Sequence, residues 1–219
     1  MDVFEALYTT RAMRRVKEDP IPEEIIKTMV DAAIRAPSGS NRQDWKFLVV
    51  TDDEVREKLG DVYRETWEYY IKEFYGDNPD LGASQVGEDR KAEQIVRISK
   101  SAGWLAQNFH KVPAHFVIFS RNDPTGSSIY PAIWNLMLAG RAHGIGTCLT
   151  TVMSFKQKEA FEILGVPSDK GWNLSAVVTS GYPLGKWGVA ERNPVDEVTY
   201  LNQWGKSPNW SLEEPLWNY

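Results

Sequence analysis

The sequence predicts an α+β domain in which helices cover a central sheet. Along its 219 residues, segments with apolar positions three or four apart, over 53–74 and about 91–109, read as long helices. Between and after them lie short apolar runs (FLVV, AHFVIFS and NLSAVVTSGYP) of strand length, bounded by turn residues. No repeat, low-complexity tract or linker divides the chain, so residues 1–219 form one domain.

Residues 2–9 carry Val3, Phe4 and Leu7 with Tyr8 beside them, a short first helix. The basic cluster RAMRRVK follows and stops at DPIP. Pro22, Glu23 and Glu24 make a good helix start, because Pro suits the first turn and acids suit the positive end of the helix dipole. Ile25, Ile26, Met29, Val30 and Ala33 continue that stripe to a break at Pro37. Phe47 to Val50 reads as a buried strand. The stretch 76–90 is polar, Gly-containing and without period, an excursion or lid. After the strand AHFVIFS comes a helix apolar on nearly every side (Ile133, Leu136, Met137, Gly140), which implies burial all round. Gly144 and Gly146 end it and lead into a short strand. A helix over about 155–164, the strand NLSAVVTSGYP and an extended Trp-rich tail complete the chain.

Composition narrows the classes of function. Apolar residues are 42% and charged residues 25%, ordinary for a soluble globular chain. A net charge of −5 argues against nucleic acid as a partner, since phosphate backbones call for a basic face. No apolar run approaches the roughly 18 residues a membrane span needs. The N-terminus lacks the apolar core of a signal peptide, so a cytoplasmic location is expected. One cysteine precludes an internal disulfide framework, and with three histidines no zinc-type spacing arises; no metal site is expected.

The catalytic inventory is thin. No Ser-His-Asp order, G-x-S-x-G elbow or Walker loop is present, and G-I-G at 144–146 lacks the third Gly of a dinucleotide fingerprint. Cys148 reads as a buried small residue rather than a nucleophile. His143, near a helix end, reads as a packing or capping residue rather than a base. Two features remain. Arg11, Arg14 and Arg15 gather before a Pro-rich turn, and Arg192 stands in AERNPVDE; their planar forks suit a phosphate, or else they form a solvated basic face. The junction RAPSGSNRQDWKF packs small hydrogen-bonding groups together. It wraps a polar heterocycle, or it simply caps a helix end through side-chain-to-backbone bonds.

Taken in order, TTRAMRRVKEDPIP, APSGSNRQDW, NLMLAGRAHGIGTCLTT and VVTSGYPLGKWGVAERNPVDEV resemble the four signature regions of the nitroreductase family of flavin enzymes. The resemblance runs along nearly the whole chain and is weakest between about 60 and 110. It implies a mostly antiparallel central sheet flanked by helices, a homodimer with FMN at the interface, and a C-terminal tail that extends onto the partner subunit. Arg11 and Arg15 match the arginines that hold the FMN phosphate, with Ala12 contributing backbone. Met13 stands where a serine is usual, and Arg14 beyond it offers another cation. Pro37, Ser38, Gly39, Asn41 and Gln43 match the loop that reaches from the other subunit to the isoalloxazine and ribityl groups; Trp45, which follows, reads as packing. Cys148, Leu149, Thr150 and Thr151 match the segment beside the flavin. Arg192 matches the arginine that completes the phosphate site, while Ala190 replaces a usual lysine.

The implied activity is oxidation of NADH or NADPH and reduction of a small planar acceptor such as a nitroaromatic or quinone, by a ping-pong sequence carried by FMN with no dedicated catalytic side chain. The region from about 63 to 110 is expected to roof the pocket, with Trp67, Tyr70 and Trp104 as substrate-stacking candidates. Alternatives are a specialised member of the family (a reductive dehalogenase, a flavin-cleaving enzyme or a dehydrogenating oxidase) and a flavin-binding protein without turnover.

Overall fold

The computed structural model describes residues 1–75, 89–190 and 192–212. Four strands, β1 (Trp45–Val50), β2 (Ala114–Ser120), β3 (Gly146–Thr150) and β4 (Asn173–Gly181), form one sheet in the order β1-β2-β4-β3, with every neighbouring pair antiparallel. All seven residues of β2 are buried, as a central strand covered on both faces must be. Alternate side chains of β2 and β4 then enter two separate cores. Val117, Phe119 and Val177 join Leu59, Tyr63, Leu105 and Phe109 from α3 (Asp53–Tyr75), α4 (Asp89–Asn108) and the turn after it. Phe116, Ile118, Ala176 and Val178 join Met29 and Ala33 of α2 (Glu23–Ala33), and Ile133 and Leu136 of α5 (Ile129–Ala142). Burial between α2 and the sheet accounts for most of the apolar residues of α5, but the helix is not buried all round as expected: Tyr130 and Trp134 on its outer face stay exposed.

The helices α1 (Val3–Thr9) and α6 (Gln157–Leu164) also fall where the periodicity places them. Two boundaries differ. The strand expected from Phe47 begins at Trp45, whose ring is buried at the sheet end. The helix expected from about 155 is a 3₁₀ turn over Val152–Lys156 before α6 starts, because β3 ends close by and the chain must reverse within a few residues. Residues 76–88, most of the expected excursion, lie outside the described residues. Among the described residues no helix is long and apolar enough to cross a membrane, and no group of three His, Cys, Asp or Glu side chains is gathered for a metal.

Both outer strands leave an edge, and the two edges are treated differently. The edge of β3 receives the N-terminal arginine segment: Ala12 bridges Thr147 in parallel, and Met13 donates its N–H to the Thr147 carbonyl at 2.8 Å. Val16 then bridges Pro183. Glycines permit this approach. A Cβ on Gly181 would lie 2.7 Å from Val16 Cγ2, 2.8 Å from its Cβ and 3.1 Å from Pro113 Cδ. Gly181→Ala therefore has to displace Val16 and the arginines before it. We expect a stability loss of about 2 kcal/mol in urea unfolding, the usual scale of overpacking; an unchanged midpoint would show that the segment is looser than its contacts imply.

Candidate active site

The arginine segment is extended rather than helical, so neighbouring side chains face different ways. Arg11 is exposed and donates from a terminal nitrogen to the Lys186 carbonyl at 2.7 Å. Arg15 is exposed, lies 5.7 Å over the Trp104 ring, and accepts the Leu184 N–H on its carbonyl at 3.0 Å. Met13 turns inward: it is 8% exposed, and a Cβ on Gly146 would stand 2.9 Å from its own. Its side chain fills a gap in the packing and its N–H is already used, so the position usually held by serine has become a packing residue. Arg14 is half-buried, and its cation lies near enough to Cys148 to favour the thiolate, while the thiol itself donates to the Leu149 carbonyl at 3.7 Å.

Cys148 is 1% exposed, and burial pushes its thiol above the usual range against the lowering influence of Arg14. A thiol held protonated is a poor nucleophile, which agrees with the reading of Cys148 as a small buried residue. At the end of β3, the hydroxyls of Thr150 and Tyr63 meet at 3.0 Å, and Thr150 Oγ1 also accepts the Val152 N–H at 3.4 Å. Burial raises the Tyr63 phenol to about 12, so it stays neutral and serves as a hydrogen-bonding post on α3. Leu149 is half-buried and Thr151 exposed. Arg11, Arg15 and the Cys148–Thr151 backbone thus share one edge of the sheet. Arg192 is exposed in the irregular chain beyond β4.

The Ser38–Gln43 loop lies elsewhere. Trp45 pairs with Ser120 and Ser120 with Asn173, whereas Thr147 pairs with Ser180. Loop and arginines therefore occupy diagonally opposite corners of the sheet, separated by most of β4, roughly 25 Å of extended chain. The loop is built tightly: Ser38 accepts the Asn41 N–H on its carbonyl (2.8 Å) and the Gln43 N–H on its hydroxyl (3.2 Å), and the Gly39 N–H meets Ser128 Oγ at 3.3 Å. Ser40, Asn41 and Gln43 all hold φ between 51° and 53°, the left-handed region that disfavours side chains. Such strain collects at ligand-binding loops. Gly39 has open space where a Cβ would be, leaving its backbone approachable. Pro37 is exposed beside it and Trp45 is packed beneath it. Ser40→Gly removes one strained residue at about 1–2 kcal/mol and adds about 0.5–1 kcal/mol of backbone entropy cost. Urea titration should show a net gain of about 0.5–1 kcal/mol; a loss would mean that the Ser40 side chain holds the turn.

Of the three stacking candidates, Trp67 and Trp104 pack against the core, and Trp104 also faces Arg15. Tyr70 belongs to an aromatic group with Phe74 (5.1 Å) and Phe155 (6.0 Å), in which Tyr69 also contacts Phe155 (6.1 Å). Phe74 and Phe155 are about half exposed. Phe155 was not singled out by sequence; it reaches this group because the 3₁₀ turn after β3 brings it against α3.

The match to a family model settles the kinship, for residues 7–182 fit the model of the nitroreductase family. The chain belongs to that family. A relative named NADH dehydrogenase from Thermus thermophilus is 27% identical over 210 residues, 90% of this chain and 95% of that protein. An iodotyrosine deiodinase from Thermotoga neapolitana is 28% identical over 175 residues, covering 79% of this chain and 84% of its own. In fold, the chain is similar to the FMN-dependent nitroreductase NfnB from Mycobacterium smegmatis, solved in complex with NADPH. The TM-score is 0.65 at 22% identity, with 91% of this chain and 97% of that one covered.

Proposed function

We propose that this nitroreductase-family protein is an FMN-dependent oxidoreductase that takes electrons from NADH or NADPH and passes them to a small planar acceptor. The observation that carries the reading is the outer edge of β3, where two exposed arginines stand beside an approachable strand end. The donor set fits the group. Arg11, Arg15 and Arg192 offer the fork-shaped donors that a phosphate monoester takes, and the Cys148–Thr151 segment offers backbone beside them. The names of the Thermus thermophilus and Mycobacterium smegmatis relatives favour the same chemistry.

Bound there, FMN supplies the hydride chemistry that no side chain of the chain provides. The protein's part is to bind and orient. Arg11, Arg15 and Arg192 hold the anionic end, with Met13 as the packing base of that segment. Tyr63 fixes Thr150 and the start of the turn that follows, and the aromatic group at Tyr70, Phe74 and Phe155 limits water and offers flat surfaces to substrates. Residues 63–75 and 89–110 act as the roof. Ser38, Gly39, Asn41 and Gln43 stand too far from the arginines of their own subunit to share a ligand with them. They serve the second site of a homodimer. Exposed Tyr130 and Trp134 on α5 and the 92% exposed Trp204 in the tail supply apolar surface for that association. The groove along the free edge of β1, lined by Ile26, Val30, Ile34, Phe47 and Val49, accepts the partner's tail.

An absorbance spectrum of the purified protein, taken without oxygen before and after NADH and then NADPH, tests the reading. A yellow protein bleached by one nicotinamide supports it and names the donor. A colourless protein that takes up no FMN overturns it. The kinship with iodotyrosine deiodinases favours a second reading, reductive removal of halogen from an aromatic amino acid; iodide released from iodotyrosine by the reduced protein would select it.

A further inference from the structure

Arg141 is a charged side chain sunk inside the fold, only 6% exposed, on a helix that otherwise buries apolar residues. Its partners lie on two other parts of the chain. Nε donates to Thr9 Oγ1 at 2.7 Å, and a terminal nitrogen lies 3.4 Å from the Glu5 carboxylate, both on α1. The Thr9 hydroxyl in turn donates to the Glu5 carbonyl at 2.6 Å. On its other side, the Arg141 guanidinium sits 4.1 Å from the centre of the Trp187 ring, close enough for a strong cation–π contact in a desolvated site.

Trp187 stands between the two residues that touch Arg11. The preceding Lys186 carbonyl receives the Arg11 guanidinium. The following Gly188 lies against it, a Cβ there meeting both terminal nitrogens at 3.9 Å. Three residues earlier in the chain, Leu184 N–H bonds the Arg15 carbonyl. The strip 184–188 has no helix or strand of its own to hold it, so beyond those bonds to the arginine segment the Trp187 stack ties it to the helical body of the fold.

We infer that Arg141 and Trp187 are positioning residues for the anion site: the buried cation fixes the indole, the indole fixes the strip, and the strip aims Arg11 and Arg15. The inference rests on the proposed function, since it concerns the phosphate end of FMN. It predicts an effect confined to ligands that carry a phosphate. Neither residue belongs to the Cys148–Thr151 segment proposed to run beside the flavin ring.

The test compares FMN with riboflavin, which has the same ring and no phosphate, on wild type, Trp187→Leu and Trp187→Phe, by flavin fluorescence on the apoprotein with thermal melts as a control. The ratio of FMN to riboflavin affinity should fall about tenfold in Trp187→Leu, the scale of one charge-assisted hydrogen bond, with riboflavin unchanged. Trp187→Phe, which keeps an aromatic face for Arg141, should recover much of the ratio. Equal weakening of both flavins in the two variants overturns the inference and leaves Trp187 a purely structural role, as does an unchanged ratio. If Trp187→Leu does not fold, the ratio measured in Trp187→Met and in Arg141→Gln, which remove the aromatic face and the cation, decides, a wild-type value in both overturning it. Wild-type protein that binds neither flavin would instead overturn the proposed function.

Discussion

Replacing Arg11 and Arg15 together with alanine is expected to weaken FMN binding about a thousandfold, because each substitution removes a charged hydrogen-bond donor at about 1.5–3 kcal/mol. Both side chains are exposed, so the loss should come with little change in unfolding midpoint. Arg15 also gives up its position over Trp104, an exposed cation–π contact of about 0.5–1 kcal/mol. Titration of the apoprotein with FMN measures the effect, and riboflavin is the control. Binding within a few-fold of wild type would mean that the phosphate lies elsewhere and that the cluster is a solvated basic face. Because the interaction is electrostatic at a partly wet site, the wild-type affinity should also fall with added salt, and the double variant, left with Arg192, should show a much weaker dependence.

Acid should destabilise the protein through a residue remote from the arginines. His115 on β2 is fully buried, its ring stacked on Phe109 at 4.0 Å and 3°, and Nε2–H is given to the Phe109 carbonyl at 3.1 Å. Nδ1 has no partner. Burial first, and then the nearby Arg56 cation, push its pKa down to about 3. Above pH 6.5 the imidazole is neutral in both folded and unfolded chains, and the stability associated with it is fully present. Below that pH the unfolded chain takes up a proton that the folded chain refuses, so stability falls continuously until about pH 3. Between pH 7 and pH 4 the loss should be about 3 kcal/mol, at 1.36 kcal/mol per pH unit. Urea titrations at several pH values follow it. His115→Gln, which keeps a donor and does not titrate, should flatten the slope over that window even if it lowers stability throughout. Identical slopes in the two proteins would assign the acid sensitivity to other groups. Asp44 does not confuse this window: Asn122 and then Arg121 hold its carboxyl below the usual carboxylate range, so its contribution is lost only at lower pH.

Element by element, the fold was legible wherever a periodic pattern met a strong boundary. AHFVIFS is apolar at successive positions because both faces of β2 are covered, and that pattern needs no tertiary information to be seen. The arginine and Ser-Gly-Asn motifs were equally visible, since their residue types are unusual for the places they occupy. Phe155 was not, because its role depends on a 3₁₀ turn that propensity does not distinguish from the start of α6. Arg141 was missed for a related reason. One arginine in a helix reads as surface, and only the convergence of α1, α5 and the strip at Trp187 shows it to be enclosed.

Local chemistry along the chain determines which helices and strands form, the thin catalytic inventory, and the four motifs that carry the family. It does so because hydrophobic period, turn residues and unusual polar clusters act over a few neighbouring positions. Tertiary structure alone decided that Met13 faces inward, that Trp104 attends Arg15, and that the loop at 38–43 stands at the opposite corner of the sheet from the arginines. Those facts depend on strand order and register, which are fixed by pairings between residues far apart in sequence.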